Sequence, residues 1–313
     1  MLSRTADNLY WLARYVERAE FLARILETTI RIADLPASYR GASGEWDSAV
    51  LTAGCQPAFA RHYDVANERT VIHYLAFSDD NPSSIRRCLE TARTNARAVR
   101  TALTTETWEA INGAWLELKH LDGRPMSREQ VARFLEFVKE TSLRFDGSAY
   151  RTMLRGDAYW FSRLGLNVER ADNTARILDV KYHVLLPETE RVGGSLDYFQ
   201  WSTILRVVSA LTAYHWVYRE SVKPWLVADL LVLNRQMPRS LACCYNNLVR
   251  FLDLISDAYG RQGPSQRLAR ARDAEFASTE IETVFGHGLH EYITAFIEDN
   301  HRLGDAITAQ YLS

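Results

Sequence analysis

The chain has 313 residues, of which 47% are hydrophobic and 24% are charged, and this is the composition of a folded globular protein rather than a low-complexity, collagen-like or disordered one. The 37 lysines and arginines are balanced by 39 acidic residues, and a net charge of −2 disfavours a general nucleic-acid binder. Only four of the basic residues are lysines, so arginine supplies nearly all of the positive charge.

Turn-forming residues are scarce, and so are signals for targeting. The 15 glycines and 8 prolines fall well below average usage, which favours helices over strands. Charges at Asp7, Arg14 and Glu17 rule out a signal-peptide pattern, and the apolar stretch at 227–233 is too short to span a bilayer. The four cysteines form no CxxC pair, so we expect a cytoplasmic protein with reduced thiols and no contact with a membrane.

Helices are predicted along the whole chain, because apolar residues recur at intervals of three and four and no alternating strand pattern occurs. Ser and Asn residues in 81–84 and 126–129 are placed to cap helix starts. Clusters of Gly, Pro and polar residues predict loops at 34–45, 78–82, 121–127, 187–195 and 259–265.

An internal repeat is the most informative feature of the sequence. Residues 12–26 and 164–178 align without a gap at a shift of 152, and nine of the fifteen positions are identical. A weaker echo follows, in which 82–85 (Pro-Ser-Ser-Ile) answers 238–241 (Pro-Arg-Ser-Leu). We therefore predict an all-α helical bundle built from two repeated halves, 1–150 and 151–313, which are related by pseudo-twofold symmetry and form one compact unit.

The repeat carries matched acids and arginines. On a helical wheel Glu17, Glu20 and Arg24 share one arc, which lies away from the main apolar face, and Arg18 lies at its margin. The candidate residues from both copies are Arg14, Glu17, Arg18, Glu20, Arg24, Glu169, Arg170, Asp172 and Arg176. Three interpretations are open: a solvated face with i,i+4 ion pairs, a buried network joining the halves, or a ligand-binding or catalytic site.

The same residues carry a family resemblance. The run from Tyr10 to Glu20, followed by Ala23-Arg24, resembles the first signature of the bacterial alpha-E domain family, and 165–176 resembles the second. Leu166 departs from the arginine expected by analogy with Arg14, so a symmetric role for that position is in doubt. The resemblance implies a helical protein that is encoded or fused beside a circularly permuted ATP-grasp protein and a transglutaminase-like cysteine peptidase, in a context of peptide ligation or peptide modification.

Two functional hypotheses follow. The first is a non-catalytic accessory, scaffold or substrate-handling protein for those partners and their peptide substrate, because the chain has no glycine-rich phosphate loop and no recognisable Cys-His arrangement. The alternative is an enzyme in which Glu17 or Glu169 is the base while Arg24 and Arg176 hold a carboxylate or a phosphate. No cofactor is expected in either case.

Other possible sites are weaker. The two acid pairs have the ExxE/D spacing of a dinuclear metal centre, but the arginines beside them offset the charge that attracts a metal, so we expect no metal. The pair His287 and His290 lies at an uncertain helix start, and buried thiols are expected for Cys243 and Cys244. Most tryptophans are expected in the core, with a groove or partner interface as an alternative for Trp201, Trp216, Trp225 and Tyr218.

Overall fold

The computed structural model describes residues 1–34, 44–121, 126–183 and 195–313, and for 180–183 and 195–197 it describes the backbone alone. Every regular element within these ranges is helical, which confirms the predicted all-α class. The helices, in chain order, are α1 (Ser3–Ala33), α2 (Glu45–Thr52), α3 (Gln56–Phe59), α4 (Glu68–Ala76), α5 (Ile85–Ala98), α6 (Thr105–Leu118), α7 (Arg128–Thr152), α8 (Asp157–His183), α9 (Ser195–Val207), α10 (Leu211–Tyr218), α11 (Pro224–Val232), α12 (Leu241–Tyr259), α13 (Pro264–Ser278), α14 (Ile281–His287) and α15 (Leu289–Ile307). A short π-helical turn, Thr308–Leu312, follows α15.

Local sequence accounts for several helix boundaries. The hydroxyl of Ser84 accepts a hydrogen bond from the backbone N–H of Arg87 and starts α5, as predicted. Ser127 and Gln130 form a capping box at the start of α7, which is the second predicted start. The predicted loop at 78–82 is confirmed, and much of the loops at 34–45, 121–127 and 187–195 lies outside the described residues.

Helices α1 and α8, which carry the two copies of the repeat, lie side by side at the centre of the bundle. Helix α1 packs mainly against α8, α5 and α7, and α8 packs also against α12 and α15. Leu9, Leu12 and Leu26 are fully buried, and burial extends around most of α1. Charged side chains on its central turns must therefore find their partners inside the protein.

A glycine permits the close approach of these two helices. A Cβ atom built on Gly165 of α8 would lie 2.0 Å from the carbonyl oxygen of Tyr10 on α1, which is far inside contact distance. Ala13 occupies the matching place in the first copy of the repeat and is also buried. The backbones of α1 and α8 thus touch where the two copies of the motif meet. The division into halves and their pseudo-twofold relation stay predictions.

No helix in the described ranges combines the length and the hydropathy needed to cross a lipid bilayer.

Candidate functional site

Two Glu-Arg pairs bind each other across the contact between α1 and α8. Glu17 accepts hydrogen bonds from Nε (3.0 Å) and Nη2 (2.9 Å) of Arg170. In return, Glu169 accepts hydrogen bonds from Nε (2.6 Å) and Nη2 (3.0 Å) of Arg18. Both glutamates are only 2% exposed. Each consecutive Glu-Arg dipeptide therefore gives an acceptor and a planar donor fork to the other helix, an arrangement that lysine cannot reproduce.

Each glutamate also has a second arginine, and the two come from different places. Nε of Arg14 lies 2.8 Å from Glu169, whereas Nη1 of Arg239, just before α12, lies 2.6 Å from Glu17. Leu166, which stands where Arg14 stands in the first copy, is buried in an apolar cluster. The asymmetric role suspected for position 166 is therefore visible in the structure, and Arg239 supplies the guanidinium that Leu166 lacks.

Glu20 extends the cluster along α1 toward α9. Its carboxylate accepts hydrogen bonds from Arg24 Nε (2.8 Å), Arg239 Nη2 (2.8 Å) and the hydroxyl of Ser142 on α7 (2.6 Å). Arg24 then donates from Nη1 to the carbonyl oxygen of Val207 at 2.8 Å. This carboxylate and its partners thus join α1, α7, α9 and the segment before α12.

Asp172, the counterpart of Glu20 in the second copy, has a different environment. Arg176 Nε donates to it at 2.7 Å, and His301 Nε2 on α15 lies 3.2 Å from its other oxygen. The guanidinium of Arg176 also reaches Gly54, where a Cβ atom would lie 2.7 Å from Nη1 and where the backbone has φ of +67°. The positive φ favours glycine at this position, whereas the arginine side chain could move aside for a Cβ.

The arginines keep these buried acids ionised. Burial by itself raises the pKa of Glu17, but the charges of Arg170 and Arg239 outweigh it and lower that pKa to about 2. For Asp172, burial is likewise outweighed by the contacts with His301 and Arg176, which lower the pKa to about 2. A carboxylate with so low a pKa is a weak base, and at neutral pH it serves as a fixed negative charge.

All nine predicted site residues take part in these ion pairs: seven join α1, α8 and their neighbours, and Asp172 and Arg176 form a separate group with His301. Their burial is not that of a solvated face, and a role for them in binding a ligand stays a prediction. Sequence reasoning missed Arg239, Ser142 and His301. The sequence did contain a signal for Arg239, because its segment, 238–241, is similar to 82–85. Ser83, at the position that matches Arg239, contacts Arg18. We name the cluster, with those three residues included, the arginine–glutamate network.

The weaker candidate sites have separate, ordinary surroundings. Within the described residues no group of three or more His, Cys, Asp and Glu side chains is placed to hold a metal ion. His287 donates to the carbonyl oxygen of Thr283, and His290 pairs with Asp179. Burial raises the pKa of Cys244 to about 12, so that this thiol stays protonated, and Cys243 is half-buried rather than buried.

The four aromatic residues assigned to a possible interface separate into two groups. Trp201 is buried, and the Tyr218 hydroxyl donates to Asp229. Trp216 is 75% exposed and Trp225 is 48% exposed, on the neighbouring helices α10 and α11. Two of the four thus lie on the surface.

Comparison with known proteins identifies relatives but no function. Residues 1–312 match the model of the Alpha-E family, described as a predicted alpha-helical domain with a conserved ER motif. Uncharacterized proteins of Mycobacterium bovis and Mycobacterium tuberculosis are 22% identical over 338 residues, covering 99% of this chain and 37% of each relative. The chain thus spans little more than a third of the length of these relatives. No solved structure matches.

Proposed function

We propose that this chain, which belongs to the Alpha-E family, is a non-catalytic helical scaffold or substrate-handling protein of a peptide-ligating or peptide-modifying system. Its proposed partners are a circularly permuted ATP-grasp protein and a transglutaminase-like protein. A cytoplasmic location belongs to the same proposal, and the four free cysteines are consistent with a reducing compartment.

The observation that most directly supports this proposal is that the acids of the repeated motif are bound by arginines of the same chain. Both carboxylate oxygens of Glu17 and of Glu169 accept hydrogen bonds from guanidinium groups. A general base must reach a substrate proton and have a pKa near the working pH. Neither glutamate is exposed enough for that, and the pKa of each is lowered. The enzyme alternative therefore gains no support from this geometry.

Two further observations favour a role in association. In the mycobacterial relatives, the matching region belongs to a chain almost three times as long, so there it is covalently joined to other sequence. Trp216 and Trp225 expose large aromatic surfaces on α10 and α11, and tryptophan is enriched where proteins bind each other. We assign this surface to the ATP-grasp partner.

The test is a binding titration between the purified chain and the ATP-grasp protein of the same organism. We expect a complex with a Kd in the micromolar range or tighter, and at least a tenfold weakening in the variant that combines Trp216→Ala with Trp225→Ala. Leu154, which is 88% exposed and lies before α8, outside α10 and α11, provides the matched control as Leu154→Ala. Absence of any complex, or equal weakening in the control, would refute the assigned surface.

A second assay separates the scaffold from the enzyme alternative. We expect the chain alone to turn over no peptide substrate. We also expect any loss of system activity caused by Glu17→Gln to be accompanied by a lower melting temperature of the variant. Loss of system activity in Glu17→Gln at an unchanged melting temperature would favour the enzyme alternative instead.

A further inference from the structure

A cavity of about 540 Å³ lies between α1, α7, α9 and α10, at the end of the arginine–glutamate network marked by Arg24. This volume falls within the range of pockets that hold small molecules. The cavity is open to solvent. Its wall contains both cationic and apolar side chains.

Positive charge dominates the wall. Arg24, Arg31, Lys139 and Arg206 line the cavity, against a single acid, Glu27. Glu27 is already bound by Arg31 (2.7 Å) and Lys139 (2.8 Å), Lys139 contacts Glu136 outside the cavity as well, and Arg24 is bound by Glu20. Arg206 is exposed and makes no ion pair with any residue in the described part of the chain. A concave surface with excess positive charge concentrates anions.

A buried hydroxyl at the same wall lacks a hydrogen-bond partner. Ser202 is 7% exposed and lines the cavity, and its Oγ has no partner among the described residues. Leaving a buried hydroxyl unpaired costs free energy, and such groups in folded proteins normally have a partner. The Ser202 oxygen itself has almost no accessible surface, so a rotation about its Cα–Cβ bond is needed before this hydroxyl donates to an anionic oxygen bound in the cavity.

The rest of the wall is apolar and aromatic. Tyr198 and Phe199 of α9 and Leu211 of α10 line the cavity. A simple inorganic ion would leave this surface uncovered, whereas a ligand with a hydrocarbon portion would cover it. A ligand that suits both the cationic and the apolar parts of the wall is an anion with a hydrocarbon portion.

From this combination we infer that the cavity binds a small organic anion. Its carboxylate or phosphate group lies among Arg24, Arg206 and the Ser202 hydroxyl, and its apolar part packs on Tyr198 and Phe199. The inference goes beyond the scaffold function and does not require it, because the site needs neither proposed partner.

The test is isothermal titration calorimetry of the full chain with three probes: inorganic phosphate, N-acetyl-glutamate and phenyl phosphate. We expect phenyl phosphate or N-acetyl-glutamate to bind at least tenfold more tightly than inorganic phosphate. Binding should weaken as the salt concentration rises.

Variants locate the site. Arg206→Ala and Ser202→Ala should each weaken binding of the tighter probe at least fivefold. Arg206 is exposed and the Ser202 hydroxyl has no hydrogen-bond partner among the described residues, so both variants should keep the melting temperature of the wild type. Arg133→Ala removes an exposed arginine from α7 outside the cavity and should bind like the wild type. Binding of none of the probes, or unchanged affinity in Arg206→Ala, would overturn the inference.

Discussion

Glu17 and Glu169 occupy matched places in the two copies of one motif, yet they are neutralised by different sets of arginines. Both arginines of Glu169, Arg14 and Arg18, come from α1. Those of Glu17 come from α8 and from the segment before α12, as Arg170 and Arg239. Two repeats that share a motif can thus satisfy the same buried charge through different parts of the chain.

The difference extends to the second acid of each copy. Arg239 bridges Glu17 and Glu20, so these two carboxylates share a guanidinium. In the described part of the chain no arginine bridges Glu169 and Asp172 in this way. The Glu17 side is therefore a connected cluster, and the Glu169 side consists of two separate ones. Loss of one acid should have different consequences on the two sides.

The largest effect is expected for Glu169→Gln. Among the described residues, this substitution leaves Arg14 and Arg18 without an acidic partner, whereas in Glu17→Gln only Arg170 loses its acid, since Arg239 retains Glu20. Breaking a buried ion pair costs about 3–5 kcal/mol. We expect Glu169→Gln to destabilise the protein by an amount near the upper end of that range, and by more than Glu17→Gln. Urea unfolding of both variants measures the difference, and the reverse order would contradict the comparison.

Acid should destabilise the protein in a defined window. The pKa of Glu17 falls from its ordinary value of 4.5 to about 2 on folding, so that between these values the unfolded chain binds the proton that the folded chain excludes. The stability due to Glu17 is complete above about pH 4.5 and is lost as the pH falls toward 2. It amounts to about 3 kcal/mol.

Unfolding by urea between pH 7 and pH 3 tests this linkage. The gap in stability between wild type and Glu17→Gln should narrow as the pH falls through this window. A constant gap would show that the Glu17 carboxylate is not stabilised by its arginines.

Because α1 and α8 are in close contact, we expect Gly165→Ala to reduce the free energy of unfolding, by less than the substitutions of the glutamates. The added methyl group meets the carbonyl oxygen of Tyr10 and forces the helices apart, at a cost of about 1–3 kcal/mol. Gly147 is the matched control, because it lies inside α7 and a Cβ there meets nothing within 4 Å. Gly147→Ala should stabilise the helix by about 0.5–1 kcal/mol. Thermal melting of both variants gives the comparison, and stabilisation by Gly165→Ala would refute the close contact.

The smallest of these effects is expected for Arg239→Lys. Lysine keeps the positive charge but cannot donate in two fixed directions to Glu17 and Glu20, so we expect a loss of about 1–2 kcal/mol. The exposed Arg133 provides the control, since Arg133→Lys should leave the melting temperature almost unchanged. Equal behaviour of the two variants would mean that the bridge to both acids contributes nothing.

Sequence periodicity predicted the helices and several of their starts because those features depend on neighbouring residues. The spacing of Ser127 and Gln130 is itself the capping box that begins α7. The helical wheel also placed Glu17, Glu20 and Arg24 on one arc of α1. It could not show that this arc is buried, because burial of α1 on so many sides depends on the packing of distant helices.

The contacts between helices were beyond local reasoning. Arg239 and Glu17 are 222 positions apart, and no spacing rule joins them. His301 reaches Asp172 only because α15 packs against α8. Arg18 and Arg170, placed at the margin of the polar arc, are the residues that cross between the helices.

The central claim is that the Glu-Arg motif joins α1 to α8, and a double-mutant cycle on Glu17 and Arg170 tests it most directly. The unfolding free energies of Glu17→Gln, Arg170→Gln and the double variant would be measured in urea at pH 7. If the pair is a buried ion pair, removing both charges should cost less than the two single losses together, with a coupling energy of about 2 kcal/mol or more. If the losses of the two single variants sum to the loss of the double variant to within about 0.5 kcal/mol, the two side chains do not hold the helices together.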